Sequence, residues 1–447
     1  MSLAEKARLH LQYAEQVYEA RNPNSKRQHQ AAARHLPGGN TRSVLHASPF
    51  PICMTRGKEN RLYDTDGHEY LDFLGDMTAG LYGHSHPVIQ ETIISTMSKV
   101  GVNLGAPTDA ESHFASALCE RFRSIEQVRF CNSGTEANLY ALSIARHATG
   151  KSKVIVFEGA YHGGVLSFGH GVASNTVDRD DWILGRYNDA AGMKRLISEN
   201  KDVAAAVLVE PMQGAAGCIP GTAEFLHAVQ DAAKESGLIF ILDEVMTSRV
   251  APGGLQSVVL HPTRGTPLCP DLTTLGKWIG GGMGIGAFGG RRDLLAVYDP
   301  RTSNIQHSGT FNNNTLAMNA GLRGLTEVYT SEACLQFNTL GDQLRQELQE
   351  LGKGTRLVVT GVGSVMTIHF LSTGQKDITT VRDLKVEPGS VEEMLRDLFW
   401  FHLVEHGFWI ARRGMASLVL GTTAGEVGLF LDAVREFLRR YKELLCI

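Results

Sequence analysis

Gly237-Leu238-Ile239-Phe240-Ile241-Leu242-Asp243 is an apolar run that ends in a carboxylic acid. An uninterrupted apolar run of this length is typical of a strand that is buried on both faces of a parallel sheet. Lys153-Val154-Ile155-Val156-Phe157 and Ala204-Ala205-Ala206-Val207-Leu208-Val209 have the same character, and helical patterns alternate with such runs from about residue 85 to residue 300. This alternation predicts an α/β fold, with a large and mostly parallel sheet that carries helices on both faces.

A small polar turn follows another predicted strand, Val128-Arg129-Phe130-Cys131. The turn is Asn132-Ser133-Gly134-Thr135-Glu136-Ala137, and a helical pattern continues from it to about Thr149. The free N–H groups and the dipole of a helix start bind phosphate, and Ser133 and Thr135 add hydroxyl donors. The alternative is an ordinary N-cap, in which Ser133 only satisfies the first turn of the helix.

Candidate side chains also follow two of the apolar strands. Tyr161-His162-Gly163 comes after the strand at 153–157, and Glu210-Pro211-Met212-Gln213 comes directly after the strand at 204–209. An aromatic ring such as that of Tyr161 can lie flat on a cofactor, although alone it would more often be packing. Open α/β sheets bind ligands at the carboxyl ends of their strands. We therefore expect these residues to meet near Asp243.

An isolated lysine supplies the remaining chemistry. Lys277 lies in Leu275-Gly276-Lys277-Trp278-Ile279-Gly280-Gly281-Gly282, between small and apolar residues. A lysine amine can hold pyridoxal 5′-phosphate (PLP) as a Schiff base, while a carboxylate such as Asp243 keeps the pyridine nitrogen of the cofactor protonated. A strand-end acid and a loop lysine alone are more often structural. Together with the phosphate turn, they indicate PLP as the cofactor.

Taken together, these motifs resemble those of the class III aminotransferases, which have the fold type I of PLP-dependent enzymes. The resemblance extends roughly from Leu36 to the C-terminus. Its motifs are Asn132-Ser133-Gly134-Thr135-Glu136-Ala137, Tyr161-His162-Gly163, Asp243-Glu244-Val245-Met246-Thr247, Leu275-Gly276-Lys277 and His307-Ser308-Gly309-Thr310-Phe311. The resemblance implies a large PLP-binding domain at about 71–320. A smaller α+β domain at 321–447 would pack with an N-terminal helix and hairpin segment at 1–70.

The resemblance also implies a role for each candidate residue. Lys277 would hold the cofactor and shuttle the substrate proton, and Asp243 would bind the pyridinium nitrogen. Val245 and Tyr161 would contact the two faces of the ring. The remaining cofactor contacts would be Ser133, Gly134 and Thr135 at the phosphate, His162, Glu210 and Gln213 nearby, and Thr310 from the neighbouring subunit. The resemblance therefore implies a homodimer with a shared active site.

Two arginines are candidates for substrate binding, because a guanidinium group matches a carboxylate in shape and charge. Arg42 lies in Asn40-Thr41-Arg42-Ser43, and Arg413 lies in Ala411-Arg412-Arg413-Gly414. On sequence alone each is more often a surface residue. In aminotransferases that act on β-phenylalanine, the matching arginine at Arg42 would hold the carboxylate of the β-amino acid. Arg413 would hold the carboxylate of the 2-oxo acid and swing aside for an aromatic group.

Two subfamilies compete on the finer motifs. Leu36-Pro37-Gly38-Gly39-Asn40 and Gly289-Gly290-Arg291-Arg292 are similar to glutamate-1-semialdehyde 2,1-aminomutase, although the segment between His162 and Tyr187 looks shorter than its gating loop. Phe311-Asn312-Asn313-Asn314 looks more like the β-phenylalanine aminotransferases. We expect amino transfer from a β-amino acid to a 2-oxo acid such as 2-oxoglutarate or pyruvate. The aminomutase, an ω-amine:pyruvate transaminase and a PLP-binding protein without turnover remain alternatives.

Composition and charge narrow the class of protein to which the chain can belong. The chain has 447 residues, a formal charge of −4 and 20% charged residues, which is not the profile of a nucleic-acid-binding protein. No apolar run approaches the length of a membrane span. The seven cysteines are scattered, which predicts reduced thiols, a cytoplasmic location and no zinc site. Gly284-Ile285-Gly286-Ala287-Phe288-Gly289 fits a dinucleotide fingerprint, but it follows a glycine-rich loop and is predicted to be a strand.

Overall fold

The structure is a computed structural model, and it describes residues 1–175, 177–372 and 377–447. The strands are β1 (Met54–Lys58), β2 (Arg61–Asp64), β3 (Glu69–Asp72), β4 (Gln127–Cys131), β5 (Lys153–Phe157), β6 (Gly169–Val172), β7 (Trp182–Gly185), β8 (Ala204–Val209), β9 (Met212–Gln213), β10 (Ile219–Pro220), β11 (Ile239–Asp243), β12 (Leu272–Gly276), β13 (Gly286–Gly290), β14 (Leu357–Val362), β15 (Val365–Phe370), β16 (Phe408–Trp409) and β17 (Met415–Ser417).

The α-helices are α1 (Leu3–Arg21), α2 (Pro23–Ala32), α3 (Pro87–Ser95), α4 (Asp109–Arg121), α5 (Gly134–Thr149), α6 (Ala190–Asn200), α7 (Ala223–Glu235), α8 (Arg292–Leu295), α9 (Thr315–Arg323), α10 (Ser331–Gly352), α11 (Val391–Glu405), α12 (Ala424–Arg440) and α13 (Lys442–Leu445). The predicted N-terminal helix is divided at Pro23 into α1 and α2, because proline has no N–H to continue the hydrogen-bond ladder. None of the described helices is long and apolar enough to cross a membrane.

A seven-stranded sheet forms the centre of the molecule, in the order β4-β13-β12-β11-β8-β5-β7. Strands β12, β11, β8, β5 and β7 run parallel, and β13 runs antiparallel to both β12 and β4. Every residue of β8, β11 and β12 is buried, because helices cover both faces. The predicted large and mostly parallel sheet is therefore confirmed. The G-x-G-x-x-G segment contributes β13, as expected.

The two ends of the chain form a smaller unit together. The C-terminal strand β16 pairs with β3 of the N-terminal hairpin, and β14, β15 and β17 form a separate antiparallel sheet. Helix α1 packs along α11, where Tyr18 contacts the rings of Trp400 and Phe401. The N-terminal and C-terminal segments therefore share one apolar core. The exact division at residues 70 and 320 stays a prediction.

A fully buried arginine, Arg249, connects these parts beside the sheet. Its guanidinium donates to Thr78 O at 3.2 Å and to Leu418 O at 2.6 Å, and also to the hydroxyl groups of Ser364 and Ser417. Among the residues that the structure describes, no carboxylate pairs with it. Its charge is instead dispersed over two carbonyls and two hydroxyls, which fixes the position of each of these groups.

Candidate active site

The carboxyl ends of β5, β8 and β11 and the turn after β12 open into one cleft of about 730 Å³. Most of the site residues predicted from the sequence line this cleft: Arg42, Gly134, Thr135, Tyr161, His162, Glu210, Asp243, Val245, Lys277 and Arg413. Ser133 lines an adjoining cleft that also includes Gly134 and Lys277. Gln213 and Thr310 line neither cleft.

The predicted phosphate turn caps α5. Ser133 Oγ accepts a hydrogen bond from Glu136 N at 3.2 Å, so Ser133 is the N-cap of this helix. The hydroxyl hydrogen of Ser133 remains available to an anion. A Cβ atom at Gly134 would lie 2.8 Å from Cγ1 of Val245, so only glycine lets the turn approach this side chain so closely. The turn thus presents backbone N–H groups at the wall of the cleft.

Asp243 is held by three donors at the end of β11. Its Oδ2 accepts from Nδ1 of His162 at 2.7 Å and from Nδ2 of Asn138 at 2.8 Å, and its Oδ1 accepts from Val245 N at 3.0 Å. Because Nδ1 of His162 faces a carboxylate, it must carry a proton. Nε2 of this ring is buried without a hydrogen-bond partner in the described part of the chain. His162 therefore fixes the orientation of the Asp243 carboxylate.

Lys277 follows directly after β12, where its φ of 58° places it in the left-handed region that non-glycine residues rarely adopt. Burial lowers the pKa of its amine, and the nearby carboxylates of Asp243 and Glu210 oppose this shift only in part. A lowered pKa increases the fraction of the amine that is uncharged at neutral pH. A lysine that acts as a nucleophile or a base needs this uncharged form.

Glu210 ties the strand end of β8 to the Tyr161 loop. Its Oε1 accepts from Tyr161 N at 3.0 Å, and its Oε2 accepts from Gly214 N at 3.1 Å. Burial raises the pKa of this carboxyl to about 7, and the negative charge of Asp243 adds to the shift. Gln213 lies behind this loop, fully buried, and its Nε2 donates to Glu158 O at 3.0 Å. The structure thus gives Gln213 a bond to the backbone and no place at the surface of the cleft.

The two predicted arginines differ in their partners. Nη1 of Arg42 lies 2.5 Å from Oδ1 of Asp76, and their side chains are 43% and 58% exposed, so this ion pair is open to solvent. Arg413 is exposed within the cleft, and its Nη2 contacts Sδ of Met415 at 3.5 Å. In the described part of the chain, no carboxylate lies within ion-pair distance of Arg413. Among the described residues, Arg42 is therefore paired with a carboxylate and Arg413 is not.

Thr310 lies on the exposed loop that follows His307, away from the cleft of its own chain. The loop is nevertheless connected to the phosphate turn, because Nδ2 of Asn132 donates to Oδ1 of Asn312 at 2.9 Å. Within one chain, Thr310 does not reach the residues around Lys277. Its contact with a cofactor across a subunit boundary stays a prediction.

Several side chains of the cleft were not predicted from the sequence, among them Asn138, Met77 and Met246. Asn138 bonds to Asp243 and accepts from Thr274 Oγ1 at 2.8 Å, and Met77 and Met246 add flexible apolar surface. Asn138 follows Gly134 by one helical turn, so a polar residue on the buried face of α5 was the available signal. No local pattern identifies the two methionines.

These residues fit PLP. A helix of 16 residues begins at Gly134 beside Ser133 and Thr135, and this helix start is a site for a phosphate group. Asp243 is 5% exposed and bonds only to N–H donors, so it can accept a further proton-bearing nitrogen from the cleft. Lys277 supplies the amine for the cofactor aldehyde. The donors and the acceptor thus match the phosphate, the ring nitrogen and the aldehyde of this cofactor.

Among the described residues, one group of potential metal ligands lies outside the cleft. Ligand atoms of His402, His406 and Glu436 lie within 4.8 Å of one another. However, Nε2 of His402 contacts Ala433 O and Nδ1 of His406 contacts His402 O, so one nitrogen of each ring is already engaged with the backbone. The group has no contact with the cofactor residues, and the expectation of a metal-free enzyme stays a prediction.

Comparisons with known proteins identify the family. The model of the family Aminotransferase class-III matches residues 44–420. The chain is 47% identical to an uncharacterised aminotransferase of Schizosaccharomyces pombe, over 97% of this chain and 96% of the relative. It is 45% identical to the beta-phenylalanine transaminase of Variovorax paradoxus, over 95% of this chain and 94% of the relative.

The structural comparison agrees. The crystal structure of a beta-phenylalanine aminotransferase from Variovorax paradoxus superposes with a TM-score of 0.92 at 43% identity, and the match covers 98% of this chain and 99% of that one. The fold is therefore that of the fold type I PLP-dependent transferases. The chain is therefore a member of the class III aminotransferases, a family of PLP-dependent transaminases.

Proposed function

We propose that this aminotransferase moves the amino group of a β-amino acid, such as β-phenylalanine, to a 2-oxo acid such as 2-oxoglutarate or pyruvate. The observation that carries the proposal is the pair of guanidinium groups, Arg42 and Arg413, in the same cleft as Lys277. Two cationic groups suit an enzyme that must bind two carboxylates in turn. The similarity to beta-phenylalanine transaminase supports this choice of donor.

Each residue of the cleft then has a role in the transfer. PLP, when bound, draws electrons from the carbon that carries the amine. Asp243 would keep the ring nitrogen of the cofactor protonated, and His162 and Asn138 would hold Asp243 in place. Nζ of Lys277 would accept the proton that leaves the amine-bearing carbon, because burial lowers its pKa. Val245 and Tyr161 would fix the plane of the cofactor.

The side group of the donor would meet flexible apolar surface. Met77, Met246 and Val44 line the same cleft as the two arginines and Lys277. Methionine side chains adapt to irregular shapes and contact aromatic rings favourably. An aryl group attached to the amine-bearing carbon is therefore accommodated more readily than a second charged group.

The donor is tested by a screen of the PLP-loaded protein with 2-oxoglutarate or pyruvate as acceptor. (S)- and (R)-β-phenylalanine, an aliphatic β-amino acid, 1-phenylethylamine and 4,5-diaminovalerate would be supplied singly, and the glutamate or alanine formed would be measured. We expect rapid transfer from a β-amino acid. Conversion of the PLP absorbance band by diaminovalerate alone, without formation of glutamate or alanine, would identify an aminomutase, and absence of transfer from every donor would contradict the proposal.

The role of Arg42 is tested by Arg42→Ala. Loss of a charge-assisted contact costs about 1.5–3 kcal/mol, so KM for the β-amino acid should rise by roughly tenfold or more. KM for 1-phenylethylamine, which has no carboxylate, should not change. Arg264→Ala is the matched control, because Arg264 is 49% exposed, pairs with Asp231 at 2.8 Å and does not line the cleft. An equal rise in KM for both donors would show that Arg42 does not bind the carboxylate.

We further propose that two chains share each active site. Ile94, Met97, Val100, Val102 and Leu104 are 41–60% exposed, and Ile94 also lines the cleft that contains Ser133 and Lys277. A second copy would cover this apolar surface and bring its own Thr310 to the phosphate turn.

All seven cysteines are free thiols, which suits the cytoplasm as the compartment of this enzyme.

The shared site is tested by mixing two inactive or weakened variants, Lys277→Ala and Thr310→Ala. If Thr310 acts across the boundary, a mixed dimer contains one site with both residues intact, and this site recovers high affinity for PLP. If Thr310 acts within its own chain or not at all, mixing restores nothing. Sedimentation velocity would report whether the dimer itself forms.

A further inference from the structure

A left-handed turn lies beside the cleft. Gly75, Asp76, Met77 and Thr78 have φ values of 52°, 44°, 56° and 77°. Aspartate tolerates this region moderately well, but methionine and the β-branched threonine adopt it rarely. Three consecutive non-glycine residues in this conformation persist only if the surrounding structure holds them there.

The surrounding contacts do hold the turn. Oδ1 of Asp72 accepts from Leu74 N at 2.8 Å and from Gly75 N at 2.9 Å, and the buried guanidinium of Arg249 donates to Thr78 O at 3.2 Å. A Cβ atom at Gly75 would lie 2.9 Å from Val419 Cγ1, so the turn is also packed closely. The position of the turn is thus imposed by the core and does not depend on its own sequence alone.

The turn presents two side chains to the substrate end of the molecule. Met77 lines the cleft, and Asp76 pairs with Arg42 at 2.5 Å. In the described part of the chain, this is the one ion pair of Arg42, and Arg413 has none. The carboxylate of Asp76 therefore pairs with the guanidinium of Arg42, which in the proposed function binds the carboxylate of the donor.

We propose that Asp76 is a specificity-determining residue that competes with the carboxylate of the donor for Arg42. The proposal rests on the proposed function, in which Arg42 binds that carboxylate. A half-exposed ion pair is weak, so an incoming carboxylate can displace Asp76 from Arg42. After displacement, the negative charge of Asp76 remains nearby and repels the bound carboxylate. Anionic donors then bind less tightly than Arg42 alone would allow.

The opposite role for Asp76 makes the opposite prediction. If Asp76 only positioned Arg42, its removal would weaken the binding of anionic ligands. If Asp76 competes, its removal strengthens their binding. Neutral ligands of the same shape would not respond in the competing case, because they exchange no carboxylate with Arg42. The sign of the change therefore separates the two roles.

The experiment compares two ligands that differ only in charge, 3-phenylpropanoate and 3-phenylpropanamide. Their Kd values would be measured by calorimetry on the PLP-loaded protein, for the wild type and for Asp76→Asn. Asparagine keeps the shape of the side chain and tolerates positive φ. Asp76→Gly also removes the carboxylate, and glycine adopts positive φ more readily than any other residue. This variant is used instead if Asp76→Asn does not fold.

We expect Kd for 3-phenylpropanoate to fall about three- to tenfold in Asp76→Asn, as expected for removal of one like charge at a partly exposed site, with Kd for the amide unchanged. Asp231→Asn is the matched control, because Asp231 pairs with Arg264 outside the cleft. An unchanged or raised Kd for the anion would overturn the proposal.

Arg42→Ala separates this failure from failure of the proposed function. If Arg42→Ala does not weaken the binding of 3-phenylpropanoate, Arg42 is not the carboxylate site, so its role in the proposed function and the role of Asp76 both fail, while amino transfer itself is judged by the donor screen. If Arg42→Ala weakens it but Asp76→Asn does not tighten it, only the role of Asp76 is wrong.

Discussion

Replacing Gly134 with alanine should push the phosphate turn away from Val245 and weaken cofactor binding. A Cβ atom at Gly134 would lie 2.8 Å from Cγ1 and 2.9 Å from Cγ2 of Val245. Ordinary contacts begin at 3.4 Å, so one of the two groups must move by roughly half an ångström or more. Overpacking of this kind costs about 1–3 kcal/mol. If the cost falls on the conformation that binds PLP, Kd for PLP rises about 5- to 150-fold.

The assay is a titration of the apoenzyme with PLP, followed by the absorbance of the bound cofactor. Gly428→Ala is the matched control, because Gly428 also lies in a helix and a Cβ atom there meets nothing within 4 Å. This control should leave Kd for PLP unchanged and stabilise the protein by roughly 0.5–1 kcal/mol, since alanine is the better helix former.

A second background isolates the steric cause. Val245→Ala removes both Cγ atoms, so adding Gly134→Ala to it should raise Kd for PLP far less than in the wild type. The reasoning would be refuted if Gly134→Ala bound PLP as tightly as the wild type. It would also be refuted if the substitution had the same effect in both backgrounds.

Two further predictions concern buried polar groups next to Asp243. Asn138→Ala leaves the partners of three buried hydrogen bonds unsatisfied and should lower the free energy of unfolding in urea by about 2–5 kcal/mol. Asn200→Ala, which removes one partly buried bond, is the control. An equal or smaller loss in Asn138→Ala than in this control would contradict the prediction. Burial raises the pKa of Glu244 from 4.5 to about 7. Between these two values the unfolded chain releases the proton while the folded protein keeps it, so the wild type loses stability relative to Glu244→Gln as pH rises. The loss should reach roughly 3 kcal/mol. Urea unfolding of the two apoenzymes at pH 5 and pH 8 measures this change, and a pH-independent difference would show that Glu244 titrates normally.

Local patterns in the sequence predicted the buried strands and the residues at their carboxyl ends. Continuous apolar runs identify β5, β8 and β11, because a strand buried on both faces has no polar side to show. Since ligands gather at the carboxyl ends of such strands, the sequence alone was enough to assign Asp243 and Glu210 to one cleft. The family resemblance added Arg42 and Arg413, which composition and spacing alone would have left on the surface.

Contacts between distant segments could not be predicted. The pairing of Arg42 with Asp76 depends on a left-handed turn that only Gly75 would suggest, because aspartate, methionine and threonine give no sign of positive φ. The division of the N-terminal helix at Pro23 has a visible cause in the sequence, but the helical pattern on both sides of the proline conceals it. The contact of Thr310 with a cofactor in a second chain was predicted only from the family resemblance, and it stays a prediction.

The buried guanidinium of Arg249 has a consequence for redesign of this enzyme. It bonds to Thr78 in the turn beside the cleft and to Ser364 and Leu418 in the smaller part of the molecule. Altering the turn to admit a new donor would therefore disturb the folded core as well, and stability would be lost with each gain in substrate range. The segment at 41–46 has exposed side chains, and in the part of the chain that the structure describes it makes no hydrogen bond to Arg249, although Arg42 pairs with Asp76 of the turn. Variation in donor preference should accordingly be sought first on that side of the cleft.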